Sequence, residues 1–392
     1  MKNIFIFVVC GAREHIDTLH FSLPYLQKFS SNEIWVLTDS SRNEVPVIHD
    51  HIIDIKTPEH FDNHQASIYL KTGVYQFVPK GNNYCYLDTD IIATSPDVDH
   101  IFNEFIAPII FAPDHCTMEK FSAYAVNCGC QEKWKIDRDK FNKALIKYDK
   151  NRTITDDKII ASAKELQNVF NSLKKNRGQK LMIAFRYFMS YPIFKLNHEF
   201  SFDRKKRVWM NAKKEIVMYE VNTRKIMQET GLKYNRFTLV WSNSEKVDIW
   251  ADKCVHLKEN IHLKFGTSIT NPCFQHWNGG VFLFNDLSHE FLSNWFNYTM
   301  EIFKDSAWKT RDQGTLIATV WKFGLENHPT LDKKWNLIAD YHNPYLNWTE
   351  NNQIQLGPKE VIKANLIHVY HHFGDKKWGF WNQLMKQVNG EK

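Results

Sequence analysis

Tyr84-Cys85-Tyr86-Leu87-Asp88-Thr89-Asp90 runs from an apolar, aromatic segment straight into two carboxylates one residue apart. The first four residues read as a buried strand, because aromatic and apolar residues fit a pleated, covered surface. In an extended chain residues i and i+2 point to the same side. Asp88 and Asp90 therefore aim at one place just past the strand end, where open α/β sheets bind their ligands. Paired carboxylates repel unless a cation lies between them. Oxygen donors suit Mg²⁺ or Mn²⁺, which carboxylates hold together with substrate phosphates. The local pattern leaves a metal site and a simple strand-end turn both open. Two other Asp-x-Asp pairs read differently. Asp97-Val98-Asp99 follows Pro96 and looks like a helix start, where acidic residues cap and complement the dipole. Asp137-Arg138-Asp139 lies in a charge run and reads as solvated surface.

The 392-residue chain is long enough to bury a large core, as one large domain or two unequal ones. Its formal charge of +6 is mild and mostly scattered, so a nucleic-acid binder is not expected. The dense cluster Arg204-Lys205-Lys206-Arg207 reads as a solvated loop, with anionic lipid or an anionic acceptor as the alternative. Phe and Trp are spread over the chain, fitting aromatic-rich packing or faces on which sugars stack. The seven cysteines are irregularly spaced and read as reduced thiols of a cytoplasmic protein. His115, Cys116, Cys128 and Cys130 match no common zinc spacing, so zinc is not expected there. The run after Met1 reads as a first buried strand rather than a signal peptide. No segment is apolar for long enough to span a bilayer, so any membrane association is expected to be peripheral, at the inner face.

Along the chain, residues 4–9, 33–38, 52–55, 84–87 and 109–112 read as strands and 17–29 and 67–77 as helices, with a helical turn at 101–105. This alternation implies a mostly parallel sheet covered on both faces. From 115 to 263 the chain is richer in Lys, Asn, Asp and Glu. It holds an amphipathic helix at 156–174 and two short strand candidates, 238–241 and 254–257. It reads as a large, mainly helical insertion facing the acceptor. After 264 the α/β pattern resumes: Trp277-Asn278-Gly279-Gly280 feeds a buried strand, 288–303 is helical, Arg311-Asp312-Gln313-Gly314 opens another helix, and 365–369 is a strand. The chain therefore reads as 1–114, a nucleotide-binding half; 115–263, the insertion; and 264–392, the remainder with a C-terminal binding segment.

Four pieces form an ordered series: a strand with Asp88 and Asp90, Asn278-Gly279-Gly280 before a strand, Asp312-Gln313 at a helix start, and His368, His371, Gly374 and Lys377 beyond a strand. Each has a plainer reading. The Asn-Gly-Gly is a turn or a place for close backbone approach. Asp312 is a helix cap or a site carboxylate. The histidines are packing residues, or imidazoles completing a Mn²⁺ shell. Lys377 is a solvated lysine or a point charge for a diphosphate.

In this order the pieces resemble the GT-A-fold glycosyltransferases that use nucleotide-sugars, especially the family 8 group that includes glycogenin and bacterial galactosyltransferases. The counterparts are Asp88 and Asp90, Asn278 to Gly280, Asp312 with Gln313, and His371, Gly374 and Lys377. The resemblance covers roughly the first 115 and last 130 residues; Trp378 stands where that group has Pro. It implies a Rossmann-like α/β fold and a metal-dependent transfer from a UDP-sugar to a glycan, lipid-linked or protein hydroxyl, with retention of configuration. It implies that Asp88 and Asp90 hold Mn²⁺ or Mg²⁺ with His371 or His368, and that Cys10, Gly11 and Ala12 cradle the base. Asp39, Lys71, Asn278, Gly279, Gly280 and Gly374 would border the donor, and Lys377 would meet its diphosphate. Asp312 and Gln313 would stand at the reacting centre. Lys71 reads equally as a solvated lysine on its helix. A sugar nucleotidyltransferase and a non-catalytic nucleotide-sugar-binding protein are the alternatives. The first lacks the Gly-rich basic loop that such enzymes carry after strand one.

Overall fold

A strand buried on both faces needs apolar residues at odd and even positions alike, and β1 (Asn3–Val8) supplies them. Ile4, Ile6 and Val8 join one core, and Phe5 and Phe7 join the core on the opposite face. The computed structural model describes residues 1–174, 177–235, 238–349 and 353–390. The chain forms two compact units, Met1–Cys128 with Lys253–Lys392, and Gly129–Asp252.

The first unit begins with β1, α1 (Arg13–Phe29), β2 (Glu33–Thr38), β3 (Ile52–Asp54), α2 (Asn63–Thr72) and the single turn α3 (Val74–Phe77). It continues through β4 (Asn83–Leu87), β5 (Ile91–Ala93), β6 (Ile110–Thr117) and α4 (Met118–Ala125). Asp97 and Asp99 stand in the first turn of a 3-10 helix, Pro96–Glu104, where Ser95 supplies the cap.

The second unit carries three long helices, α5 (Cys130–Tyr148), α6 (Asp157–Lys174) and α7 (Arg177–Met189). An antiparallel sheet follows, built from β7 (Ile193–Lys195), β8 (Ser201–Asp203), β9 (Val208–Met210) and β10 (Ile216–Tyr219). Then come α8 (Thr223–Thr230) and the hairpin of β11 (Lys233–Asn235) and β12 (Val240–Ser242). The apolar stripe of α6, including Leu166, Val169 and Phe170, packs on Phe194, Phe202 and Val217 of that sheet. A separate small core joins Phe141 and Ala144 to Ile226, Leu232 and Ile249.

The first unit resumes with α9 (His256–Phe265), β13 (Gln275–Phe284), α10 (His289–Ile302) and α11 (Asp312–Lys322). Five short strands follow, β14 (Leu337–Ile338), β15 (Asn347–Trp348), β16 (Ile354–Gln355), β17 (Val361–Ile362) and β18 (Leu366–His368), and then α12 (Gly379–Asn389). The strand expected at 254–257 is not formed: His256 and Leu257 open α9, whose Leu257 and Ile261 lie one turn apart in the core. A four-residue apolar run carries no periodicity to tell the two apart.

The central sheet runs β3-β2-β1-β4-β13-β6. Its first four strands are parallel, and β13 is antiparallel to both neighbours. The fold is thus a mixed α/β architecture with a parallel-rich sheet flanked by helices. Tyr86 and Phe282, opposite each other on β4 and β13, stack with centroids 4.7 Å apart. Burying each such side chain contributes about 1.5–3 kcal/mol. A smaller sheet, β14-β18-β5, stands at the carboxyl end of β4.

Candidate active site

One contact along β4 and two strand registers bring the acidic pair its neighbours. Asp88 follows β4, two residues after Tyr86 on the same side, and the Tyr86 hydroxyl donates to Asp88 Oδ1 at 2.6 Å. β13 pairs Val281 with Leu87, which brings Gly280 beside Asp88, whose N–H donates to the Gly280 carbonyl at 2.9 Å. β18 pairs antiparallel with β5, matching His368 to Ile91, and the Val369 N–H donates to the Asp90 carbonyl at 3.0 Å. His368 Nε2 thereby comes within 3.2 Å of Asp90 Oδ1. One ligand atom from each of Asp88, Asp90 and His368 lies within 4.8 Å of the others.

The imidazole is fixed from behind. Asn278 Oδ1 accepts from the Gly280 N–H and from Asn336 Nδ2, which turns Asn336 Oδ1 toward His368 Nδ1 at 3.1 Å. Nδ1–H therefore donates to Asn336, and Nε2 is the nitrogen left facing the carboxylates. The chain of amides ends at Asp114, whose Oδ2 accepts from Asn278 Nδ2 at 3.0 Å. Burial pushes the Asp90 carboxyl up, but His368 outweighs it and holds the group below its ordinary range. Burial likewise pulls His368 down, and Asp90 outweighs it, so the imidazole sits above its ordinary value. Each group thus favours its charged form because of the other.

A second contact is made by α2, which a capping box between Asp62 and Gln65 starts and which carries Lys71 in its last turn. Lys71 Nζ lies 3.2 Å from Asp88 Oδ1 and 3.2 Å from Asp312 Oδ2, while Asp312 opens α11. Burial disfavours the Lys71 charge, yet the two carboxylates win and raise its pKa above the ordinary value. Burial pushes Asp312 up, but Lys71 outweighs it and holds the carboxyl below its ordinary range. Three carboxylates thus meet one ammonium and one imidazole. A divalent cation fits the donor set of two carboxylates and an imidazole nitrogen whose tautomer is already fixed.

Gly280 is required by crowding. A Cβ built there lies 2.7 Å from His368 Cε1 and 2.9 Å from Asp88 Oδ2. Gly11 combines φ +96° with a Cβ position 2.7 Å from Asn63 Cβ, so the loop after β1 also needs glycine.

A cleft of about 790 Å³ opens over this cluster. Cys10, Ala12, Lys71, Asp88, Asp90 and Asp312 all line it, so six of the sequence-predicted residues share one space. His368 lies buried against Asp90. Gly279 and Gly280 belong to β13, and the Gln313 amide is committed to that strand: Oε1 accepts the Gly279 N–H at 3.2 Å, and Nε2 donates to the Trp277 carbonyl. Asp39 is buried after β2, its carboxylate accepting from Ser41 and from the Thr57 N–H and hydroxyl. His371, Gly374 and Lys377 lie in the exposed segment after β18; His371 tilts against Tyr370, and the Lys377 N–H donates to Asp375. Among the described residues, the histidine grouped with Asp88 and Asp90 is His368. Tyr86, Asp114 and Asn336 were not singled out from sequence. Asp114 carried a readable signal, a carboxylate two residues beyond the apolar run 109–112, although β6 extends through it; Asn336 carried none.

No protein-family profile and no curated protein matches this sequence. Among solved structures, the chain is similar to the bifunctional glycosyltransferase WbbM at 10% identity and TM-score 0.40, over 98% of this chain and 52% of that one. The chain therefore spans about half the length of WbbM. Mouse xyloside xylosyltransferase 1 gives 10% identity and TM-score 0.37, over 94% and 99% of the two chains. Galactosyltransferase LgtC, in complex with donor and acceptor sugar analogs, gives 8% and 0.36, over 99% and 95%.

Proposed function

We propose that this chain is a metal-dependent glycosyltransferase that moves a sugar from a UDP-sugar to a hydroxyl of a glycan, lipid-linked or protein acceptor, with retention of configuration. The observation that carries this reading is the convergence of Asp88, Asp90 and His368, from three separate strand ends, at the cleft that Lys71 and Asp312 also line. Asp88, Asp90 and His368 would hold Mn²⁺ or Mg²⁺, which when bound supplies Lewis-acid stabilisation of a leaving diphosphate. Cys10, Gly11 and Ala12 back the base at the cleft wall, with the ordered Asp39 turn beside them. Lys71 holds Asp88 and Asp312 in place and keeps Asp312 ionised. Asp312 faces the reacting centre; with retention, the leaving phosphate oxygen takes the acceptor's proton. Lys377, on the segment after β18, meets the diphosphate from the open side. The irregular spacing of the seven cysteines supports a cytoplasmic enzyme.

The deciding experiment incubates the chain with a panel of nucleotide-sugars and Mn²⁺, scoring released nucleoside diphosphate. UDP release that EDTA abolishes and that Asp90→Ala loses supports the proposal. Full activity in EDTA, or full activity of Asp90→Ala, overturns it. Pyrophosphate release from a nucleoside triphosphate points to a nucleotidyltransferase instead. Metal-dependent UDP binding without turnover on any donor points to a binding protein.

A further inference from the structure

The first unit leaves its own chain at Cys128 and resumes at Lys253. Cys254 is buried, and its N–H donates to the Glu119 carbonyl at 2.9 Å. Its sulfur lies 3.7 Å from Cys128 Sγ and 3.2 Å from His256 Nδ1. One ligand atom from each of Cys128, Cys254 and His256 falls within 4.8 Å of the others. The Ser122 hydroxyl donates to Cys254 Sγ and accepts the Leu257 N–H, which fixes the loop that carries Cys254 and His256.

Two thiolates bound to one zinc, each at about 2.3 Å with a tetrahedral angle between them, stand about 3.7–3.8 Å apart. The Cys128–Cys254 separation of 3.7 Å matches that spacing, whereas a disulfide needs about 2.05 Å. Sulfur and imidazole are also the donors that zinc prefers over Mg²⁺ or Ca²⁺. In the sequence the donors come as a single cysteine, Cys128, and the spaced pair Cys254-Val255-His256. The expectation of no zinc here grouped Cys128 with His115 and Cys116, which the fold separates: Cys116 Sγ faces Asp114 and His276. The true partners lie more than a hundred residues on, beyond the reach of any spacing rule.

We propose that Cys128, Cys254 and His256 bind one zinc ion in a structural site. Binding releases the thiol protons to solvent and ties the two strands of the neck together. None of the three residues lines the cleft over Asp88 and Asp90. The test is elemental analysis of the purified full chain, followed by exchange with Co²⁺. We expect about one equivalent of zinc per chain, and with cobalt a thiolate charge-transfer band and tetrahedral visible bands. Cys254→Ser and His256→Ala should fall below about a tenth of an equivalent, while Cys273→Ser keeps the full complement. Zinc below about a tenth of an equivalent in the wild-type chain, with no cobalt–thiolate absorption, overturns the proposal. So does a Cys128–Cys254 disulfide in non-reducing mass spectrometry. The cobalt titration uses the wild-type chain, so it decides even where the variants fail to fold.

A different observation stands in the second unit. On α7, Leu181, Met182, Phe185, Phe188 and Met189 fall at i, i+1, i+4, i+7 and i+8, and each is more than half exposed, at 56–75%. Ile183 and Tyr187 pack into the core of that unit from the other face. An apolar stripe of this kind on a folded surface marks a binding face. A basic group lies beside its C-terminal end: Lys205 Nζ is 5.8 Å from the ring of exposed Tyr191. Apolar residues together with the exposed Lys205 and Lys206 complement an anionic bilayer, with the helix lying in the interface and the cations at the headgroups. We infer that this face docks on an anionic membrane. Co-sedimentation with phosphatidylcholine vesicles, with and without phosphatidylglycerol, tests it. Binding should need the anionic lipid and weaken with salt, and Phe185→Asp with Phe188→Asp, or Lys205→Glu with Lys206→Glu, should reduce it roughly tenfold or more. No binding to anionic vesicles overturns the inference, as does a dimer in light scattering that the Phe substitutions dissolve, since a second copy then covers the stripe.

Discussion

At Gly280 a single methyl group decides whether the carboxylates and the imidazole can share one space. Gly280→Ala places its Cβ against His368 and Asp88. It should cost about 1–3 kcal/mol in urea unfolding and lower metal-dependent UDP binding by calorimetry; unchanged binding would show that the crowding relaxes elsewhere. Asn336→Ala frees the His368 ring and should weaken metal affinity roughly 10–100-fold while leaving the fold's melting temperature nearly unchanged. The two histidines part company in the same assay. His368→Ala should abolish metal-dependent UDP binding and His371→Ala should retain it; the reverse result would reassign the site. Asp88 and Asp90 were legible because a strand ending in alternate carboxylates is a local pattern. The choice of His368 was not, because it depends on the antiparallel register that sets residue 368 beside residue 91. Asn336 was invisible for the same reason: its role begins only when β14 joins β18.

The long elements were readable and the short ones were not. β1, α1, β2 and β4 announce themselves through sustained apolar runs and helical periodicity, whereas the two- and three-residue strands around β18 have too few residues to show a period. Lys71 illustrates a limit of helix-face reasoning. On its own helix it reads as solvated, and only β4 and α11 reveal two carboxylates around it. The turn after β2 gives a pH-dependent prediction. Burial pushes Asp39 up, but bonds from Ser41 and Thr57 outweigh it and hold its carboxyl below the ordinary aspartate value. A depressed folded-state pKa contributes stability that is present above the unfolded value of about 3.9 and is lost as pH falls through the folded one. Asp39→Asn should therefore be less stable than the parent near neutrality, with the gap narrowing below about pH 4. Urea melts across that range check it, and a gap that widens toward acid would contradict the assigned bonds.

At the scale of the whole molecule, the sequence-level boundaries 115 and 263 mark a change of composition, while the compact units divide at Gly129 and Asp252. α4 and α9 explain the offset: they fall largely inside the compositional boundaries, but Met118, Leu257 and Ile261 belong to the main core. No described helix is long and apolar enough to cross a membrane. The neck of the first unit has a consequence for how such a chain can be edited. Its two severed ends stand a sulfur contact apart, at Cys128 and Cys254, so a few glycines suffice to rejoin them. A gene lacking codons 129–252 and carrying such a linker should yield a soluble, cooperatively melting protein that still binds UDP with Mn²⁺; an aggregated product would show that the core cannot close alone. The inserted segment is in that sense a cassette, exchangeable at one locus without redrawing the sheet that ends in Asp88 and Asp90.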